Sequence, residues 1–562
     1  DVQGPPPRIE IIPERKGHHS LMAGDRALVR VRKIGHNLYE AAVLKKVDAV
    51  KAKVVGFIRK TKNGYLLSPI DRRAKHDFDV PSTELNGARI DQVVVADILP
   101  GRSDLRKKVR VSEIIGDIDD PKTISLMALY ESGLRPFFPE EVVESTAEMV
   151  VPSLGKRTDL RNLPLVTIDG KDARDFDDAV FAEPDPHPNN AGGYHLVVAI
   201  ADVAYYVMAG SPLDKEAYLR GNSTYFPDRV LPMLPEKLSN DLCSLRPHEP
   251  RATLAVHMWI DARGQLIRYK FVRGLMLSRA RLTYEQVQAA MDGHKDATTT
   301  PLMDSVIRPL YAAWKVLDAA RVKRGALDLD IPERKIVVND AGEMTGVAVR
   351  ERLNAHKVIE EFMILANVAA AMALEDKHAP CVYRVHDRPT GDKLMMARGF
   401  LEAFGLSLPK EGVAGPAQLN HLLTKAKTMQ AGFLISEIIL RSQAQALYHP
   451  ENIGHFGLAL DKYAHFTSPI RRYADLIVHR SLIKAYDLGE GGLSELESVK
   501  LFEMADHISA TERTSAESER NAVDRFTAAF GVAVMERFIV VQIGIPGRDI
   551  TMQPLAAARD DP

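Results

Sequence analysis

Ten consecutive residues carry the densest chemistry in this chain. In Asp169-Gly170-Lys171-Asp172-Ala173-Arg174-Asp175-Phe176-Asp177-Asp178, five side chains are carboxylates, and they follow the apolar run Pro164 to Ile168 directly. Gly170 allows a tight turn there. Carboxylates at that density repel one another unless a cation neutralises them. A hard divalent cation takes oxygen ligands. Mg²⁺ usually takes one or two protein carboxylates, with waters and substrate phosphate completing its shell. On spacing alone, a solvated acidic loop and a calcium loop stay open as alternatives. The Asp order and twelfth-position Glu of an EF-hand are missing, which disfavours the second.

A second constellation is His465-Phe466-Thr467-Ser468-Pro469-Ile470-Arg471-Arg472-Tyr473-Ala474-Asp475. Ser468 suits an N-cap and Pro469 a first helical position, so the spacing predicts a helix with Arg471 and Arg472 in its first turn. Free backbone N–H groups and the helix dipole favour an anion there, and two arginines would complete a phosphate seat. The competing reading is an arginine pair on a solvated helix face.

Elements must hold these side chains. From Asp1 to about Glu148 the chain reads as all-β. Ala27 to Val31 alternates like a strand, Val54 to Ile58 and Tyr65 to Leu67 flank the turn-rich Lys60-Thr61-Lys62-Asn63-Gly64, and Val93 to Ile98 adds another strand. Short strands with Gly and basic residues predict a small OB-type barrel. Lys45, Lys46, Lys51, Lys53, Arg59, Lys60, Lys62, Arg72, Arg73 and Lys75 make it locally basic, which also suits a solvated face. Phe57 and Tyr65 favour single-strand binding, with bases stacked on the rings and phosphates on lysines such as Lys60.

Beyond about Thr146 the pattern changes. Pro164 to Ile168 predicts a strand that ends at Asp169, Leu196 to Ile200 another, and Leu254 to Ile260 with Ile267 to Val272 a hairpin. Helical spacing follows over Leu302–Arg324, Ala355–Leu374, Phe433–Tyr448, Pro469–Tyr486 and Glu495–Phe530. After Phe530, Phe538 to Ile543 reads as one strand. A chain of 562 residues needs several domains.

Composition narrows the function classes. No apolar run approaches the roughly 20 residues that span a bilayer, and no secretory signal opens the chain. Lys and Arg number 74 against 75 Asp and Glu, so the chain is no polycation, although a local basic lining is enough for a nucleic-acid site. Cys243 and Cys381, the two cysteines, give neither a disulfide framework nor a zinc spacing and point to the reducing cytoplasm. The first residue is Asp1 rather than Met, so a fragment or trimmed chain is expected.

Together, the aspartate run and His465 to Tyr473 resemble the catalytic domain of the ribonuclease II/ribonuclease R (RNB) family, with Asp169 to Val180 close to the ribonuclease R form. Further matches are Tyr225-Phe226-Pro227 with Pro232-Met233-Leu234-Pro235, Leu242-Cys243-Ser244-Leu245, Arg279 to Tyr284, Glu360 to Asn367, and Tyr383-Arg384-Val385-His386-Asp387. They run in order from about Val150 to Phe530. The resemblance implies a multidomain chain, with an N-terminal OB/cold-shock-type β-barrel followed by a large α+β RNB catalytic domain. It assigns 1–35 to a remnant of a first cold-shock-type region and 36–148 to the RNA-binding barrel. It assigns 149–530 to the catalytic domain and 531–562 to a truncated or incomplete S1-type tail.

The implied activity is processive 3′→5′ hydrolysis of single-stranded RNA to 5′-mononucleotides and a short end product. By resemblance Asp169, Asp175 and Asp178 hold Mg²⁺, with Mn²⁺ able to substitute. Asp177 is the carboxylate cleavage needs most, Arg471 and Arg472 neutralise charge on the phosphoryl oxygens, and Glu519 approaches the metal site from the long helix. Tyr225 packs on the terminal base, with a core aromatic as its competing reading, and Tyr284 lies in a family motif. The partner aromatic expected after Arg324-Gly325 is replaced by Leu327 and Leu329. His386 reads as structural, since Mg²⁺ prefers oxygen. A monomer is expected, with RNA-decay or ribosome-associated factors as protein partners. The rival class is a catalytically silent RNA-binding protein of the same fold, which should have lost acidic residues that this chain keeps. A small-molecule phosphodiesterase would not need a basic barrel ahead of the acidic motif.

Overall fold

Alternating apolar residues build two separate sets of strands. The computed structural model describes residues 8–11, 26–35, 38–48, 53–62, 64–71, 74, 76–99, 106–329, 333–408, 415–536, 538–541 and 551–554. It divides into two compact units, Asp1–Glu131 and Ser132–Pro562.

In the first unit, Arg26–Gly35 and Leu38–Asp48 form an antiparallel hairpin, and Arg8–Ile11 joins it parallel to the second strand. The expected boundary between residues 35 and 36 lies between these two paired strands. The barrel follows the hairpin. Lys53–Thr61, Gly64–Pro69, Phe78–Val80, Gln92–Ile98 and Val109–Asp117 form one five-stranded sheet. The bridge Asp79–Lys108 joins its two edge strands and closes it. Ile58, Leu67, Val80, Val94, Ala96 and Val111 fill the interior. At Gly56 a Cβ would lie 2.4 Å from Leu67 Cδ2 and 2.5 Å from the Ser68 carbonyl oxygen, so only glycine lets those strands meet.

Successive strand residues point to opposite faces. Tyr65 shares the core side with Leu67, whereas Phe57 alternates away from buried Ile58. The two rings cannot stack neighbouring bases side by side. Lys53, Arg59, Lys60 and Lys62 are exposed. Lys51, Arg72, Arg73 and Lys75 lie outside the described residues.

The second unit is built on a five-stranded sheet in the order Asp178–Pro184, Tyr194–Ala201, Pro250–Ile260, Leu266–Leu277, Thr158–Asp159. The first four strands pair antiparallel, and the last joins parallel. Leu196 to Ala201 is apolar without alternation because every one of these residues is buried. Helix Asn354–Asp376 packs on three strands of the sheet and helix Arg308–Arg324 on the strand that begins at Asp178. Val142 belongs to this core, and Arg220 donates to the Phe137 carbonyl oxygen at 2.9 Å. Residues 132–148 thus pack with the catalytic unit, and the expected boundary at 148 and 149 moves earlier.

Several helices differ from expectation. Phe433–Tyr448 is a helix only over Gly432–Ser442, and Leu447–His449 instead pairs with Tyr383–Val385. The span Glu495–Phe530 is two helices, Glu495–Val499 and Leu501–Glu536. Helices Gly391–Glu402 and Pro416–Ala426 and the hairpin Glu333–Val338 with Met344–Arg350 were not anticipated. With Gly432–Ser442 these two helices enclose a second core that includes Leu394, Leu401, Leu419 and Ile435. In the tail, Phe538–Val541 pairs with Thr551–Pro554. No helix among the described residues is long and apolar enough to cross a membrane.

Candidate active site

The aspartate loop begins and ends on strands. Thr167–Asp169 pairs parallel with Arg281–Thr283, and Asp178 opens the edge strand of the main sheet. Both ends of the loop are gripped. Arg281 Nη2 donates to the carbonyl oxygens of Gly170 at 2.8 Å and Lys171 at 2.7 Å. At the other end, Ser244 Oγ donates to the Arg174 carbonyl oxygen at 2.7 Å and accepts from Phe176 N–H at 3.1 Å.

Within this frame the carboxylates crowd. Asp177 is buried, its Oδ1 accepting the Ile470 amide at 2.9 Å. Burial pushes Asp177 well above the usual carboxylate range, with Arg471 and that amide opposing it. Burial and then the Asp178 charge push Asp169 up as well, against the pull of Arg281. Burial raises Asp178 to about 6, opposed by Arg471. Asp175 is raised by burial, with its backbone surroundings, Arg471 and the Tyr225 hydroxyl working the other way. Among the described residues, no three His, Cys, Asp or Glu side chains already form an ion cage. Asp169 Oδ2 is buried with no hydrogen-bond partner. An unsatisfied carboxylate oxygen among raised carboxylates fits Mg²⁺, which needs only one or two protein oxygens besides water and phosphate.

The arginines separate into two situations. Ser468 to Arg472 is a turn rather than a first helical turn, and the helix is Tyr473–Ala485 with Arg472 as its N-cap residue. The reason lies three residues on. Asp475 Oδ1 accepts the Ser468 amide at 2.7 Å, and the Asp475 carboxylate takes the Arg472 fork at 2.7 and 2.8 Å. Burial works against the Arg472 charge, yet fully buried Asp475 holds it above its ordinary value. Arg471 instead faces the aspartates, with Nε 3.8 Å from Asp177 Oδ2. The anion seated at this helix start is Asp475, which occupies the Arg472 fork and leaves Arg471 facing the aspartates.

Tyr225 is 42% exposed while Phe226 beside it is buried. Its hydroxyl turns in on Asp175 and is pushed up by burial. Its amide donates to Glu519 Oε1 at 2.6 Å, which brings the long helix to the cluster. Burial raises Glu519, against that amide and Arg520. Gly221 permits this docking, since a Cβ there would lie 2.0 Å from Thr511 Oγ1.

Other expected residues lie elsewhere. The half-buried ring of Tyr284 stacks on His356 at 4.0 Å. Leu327 is buried and Leu329 half-buried against the core of the three-helix cluster, so neither offers a stacking face. His386 donates from Nε2 to the Ala444 carbonyl oxygen at 2.9 Å and accepts the Gly457 amide on Nδ1, which uses both ring nitrogens structurally. Phe57, Tyr65 and Lys60 belong to the barrel unit.

Residues 157–487 match the RNB domain model. The chain belongs to the RNB family. Residues 67–139 match the cold shock domain model. The RNB chain is 38% identical to ribonuclease R of Escherichia coli over 501 residues, 86% of this chain and 61% of that protein. It is 37% identical to ribonuclease R of Thermotoga maritima over 520 residues, 89% of this chain and 72% of that protein. The chain thus spans about 61% of the length of the Escherichia coli protein. A structure of Mycoplasma genitalium RNase R in complex with double-stranded RNA matches with a TM-score of 0.81 and 26% identity, covering 91% of each chain. Yeast Ssd1, a pseudonuclease, shares the fold at a TM-score of 0.65 and 18% identity, over 88% of this chain and 62% of that one.

Residue reading alone missed three residues that brace the loops of this RNB site from behind: Arg281, Ser244 and Asp475. Arg281 and Ser244 lie inside motifs already singled out, and the Arg-x-x-Asp spacing of Arg472 and Asp475 is the signal that marks an i,i+3 pair. The raised carboxylates also carry a pH consequence. A carboxyl whose folded value lies above its unfolded one stabilises the fold at low pH, and that contribution is lost as pH rises through the folded value. For Asp178 that window runs from the ordinary value 3.8 to about 6. A divalent cation such as Mg²⁺ would bind the ionised form and offset the loss. The rise in melting temperature on adding Mg²⁺ should therefore be larger at about pH 7.5 than at about pH 5, measured by scanning fluorimetry. An increment independent of pH would speak against metal binding by these carboxylates.

Proposed function

We propose that this chain is a processive 3′→5′ exoribonuclease that hydrolyses single-stranded RNA with Mg²⁺, releasing 5′-mononucleotides and a short end product. One observation carries the reading. In an RNB-family chain, the four aspartates keep their carboxylates on one clamped loop, faced by Arg471 and bordered by the exposed ring of Tyr225. A silent relative would have no need to retain such a costly cluster.

Asp169, Asp175 and Asp178 would hold Mg²⁺, and Mn²⁺ could substitute. When bound, the ion polarises the scissile phosphate and makes water a stronger nucleophile. Asp177, fixed through Oδ1 by the Ile470 amide, leaves Oδ2 to orient the attacking water. Arg471 neutralises charge on the phosphoryl oxygens. Arg472 acts through Asp475 to fix the turn that presents Arg471. Glu519 holds the Tyr225 backbone, and the Tyr225 ring receives the 3′-terminal base. The barrel's exposed Arg59, Lys60 and Lys62 would meet RNA phosphates. The chain would act as a cytoplasmic monomer with partners among RNA-decay or ribosome-associated factors. Two free, buried cysteines are consistent with a reducing compartment.

The test is a 5′-labelled oligo(A) incubated with the protein and Mg²⁺. It should shorten stepwise to a short limit product and stay intact in EDTA. RNA bound but never shortened would favour the silent clamp. Tyr225 adds a sharper expectation. Base stacking is worth roughly 1–3 kcal/mol, which matters most when few nucleotides remain. Tyr225→Ala should leave the early rate on long RNA nearly unchanged and shift the limit product by a nucleotide or so. An unchanged limit product with a lower melting temperature would make Tyr225 structural.

A further inference from the structure

We infer that Arg281 is a positioning residue that sets the affinity of the aspartate loop for its divalent cation without itself meeting RNA. This rests on the metal reading above. Arg281 stands on the strand paired with Thr167–Asp169, its Cα opposite Thr167. The strand pairing that fixes Asp169 therefore also fixes the base of the arginine. From there Nη2 reaches two consecutive carbonyl oxygens, Gly170 at 2.8 Å and Lys171 at 2.7 Å, the first two residues after the ligand strand. The guanidinium also lies over the Phe176 ring, 5.5 Å from its centroid, and Phe176 immediately precedes Asp177. One side chain thus ties the start of the loop to its end, so the spacing of Asp169 from Asp177 and Asp178 depends on it. Its Nε is buried with no hydrogen-bond partner, a donor that the fold leaves unsatisfied in order to keep this pose.

Residues that orient metal ligands from behind typically change metal affinity by about 10–100-fold when removed. A role confined to general stability would lower the melting temperature and leave metal affinity alone. The experiment uses the full chain carrying Arg281→Met or Arg281→Lys. Activity on oligo(A) is followed against Mg²⁺ concentration, and Mn²⁺ binding is measured by calorimetry without RNA. Arg281→Met should raise the half-saturating Mg²⁺ concentration and weaken Mn²⁺ binding by the same factor, about tenfold or more. At saturating Mg²⁺ its kcat should return to within about threefold of wild type, with KM for RNA unchanged. Arg281→Lys, whose ammonium can reach the same carbonyls, should show a smaller shift of about threefold in both constants. If Arg281→Met does not fold, Arg281→Lys carries the comparison. Unchanged Mn²⁺ affinity in a folded variant overturns the inference, as does a loss of kcat that saturating Mg²⁺ does not restore. If wild-type protein binds no Mn²⁺ and needs no divalent ion, the metal reading itself falls, a result visible before any variant is made.

Discussion

Asp177→Asn is expected to abolish hydrolysis while leaving RNA binding intact or tighter. The substitution changes charge but little volume. The amide oxygen can still accept the Ile470 N–H that fixes Oδ1, so the turn before the helix should survive. Lost with the charge is the oxygen that faces Arg471 and would orient water. Replacing the carboxylate by an amide also removes a charge that burial disfavours, the chief reason Asp177 is held well above the usual range. The melting temperature of the metal-free variant should therefore be equal to or higher than wild type. Residual turnover should fall by about 10²–10⁴, the range for a positioned group that acts on the proton of the nucleophile. Filter binding and denaturing gels read the two halves. Wild-type turnover would remove Asp177 from the chemistry.

The second large effect separates the two arginines. Arg472→Ala leaves Asp475 buried and uncompensated, and breaking such a pair typically costs about 3–5 kcal/mol. This variant should lose stability severely, seen as a fall in urea midpoint, and Arg472→Lys should lose part of it because the two-bond fork is gone. Arg471 is half exposed and its Nε lies 3.8 Å from Asp177. Arg471→Ala should keep the fold and lose about 10²–10³ in kcat, the cost of removing one donor from a developing oxyanion. Equal stability and equal kcat losses in both variants would contradict the division of roles.

How much of this was legible in the sequence follows from how far apart the cooperating residues lie. The aspartates are contiguous, so their crowding could be read directly, and so could the strand that ends at Asp169. The barrel hairpin was equally plain, because Lys60 to Gly64 marks its turn locally. Arg281 acts on Gly170 across 111 positions and Ser244 on Arg174 across 70, and no local pattern announces such contacts. Glu519 and Tyr225 came from family resemblance alone, since nothing in a Glu/Arg-rich helix singles out one glutamate. The helix starts at Tyr473 rather than at Pro469, against the local preference for Pro at a first helical position, because a buried carboxylate seven residues after Ser468 takes the Ser468 amide. Phe57 and Tyr65 fall on opposite faces because the register sets Tyr65 opposite Lys60, an odd number of residues from Phe57 along its strand.

The central claim is cleavage one nucleotide at a time from the 3′ end. The most direct measurement uses one RNA sequence in linear form, labelled in its 3′-terminal nucleotide, beside the same sequence closed into a circle. With Mg²⁺, the label should appear from the earliest time as a 5′-mononucleotide, and the circle should remain intact. Label in fragments of several nucleotides, or a nicked circle, would contradict the account.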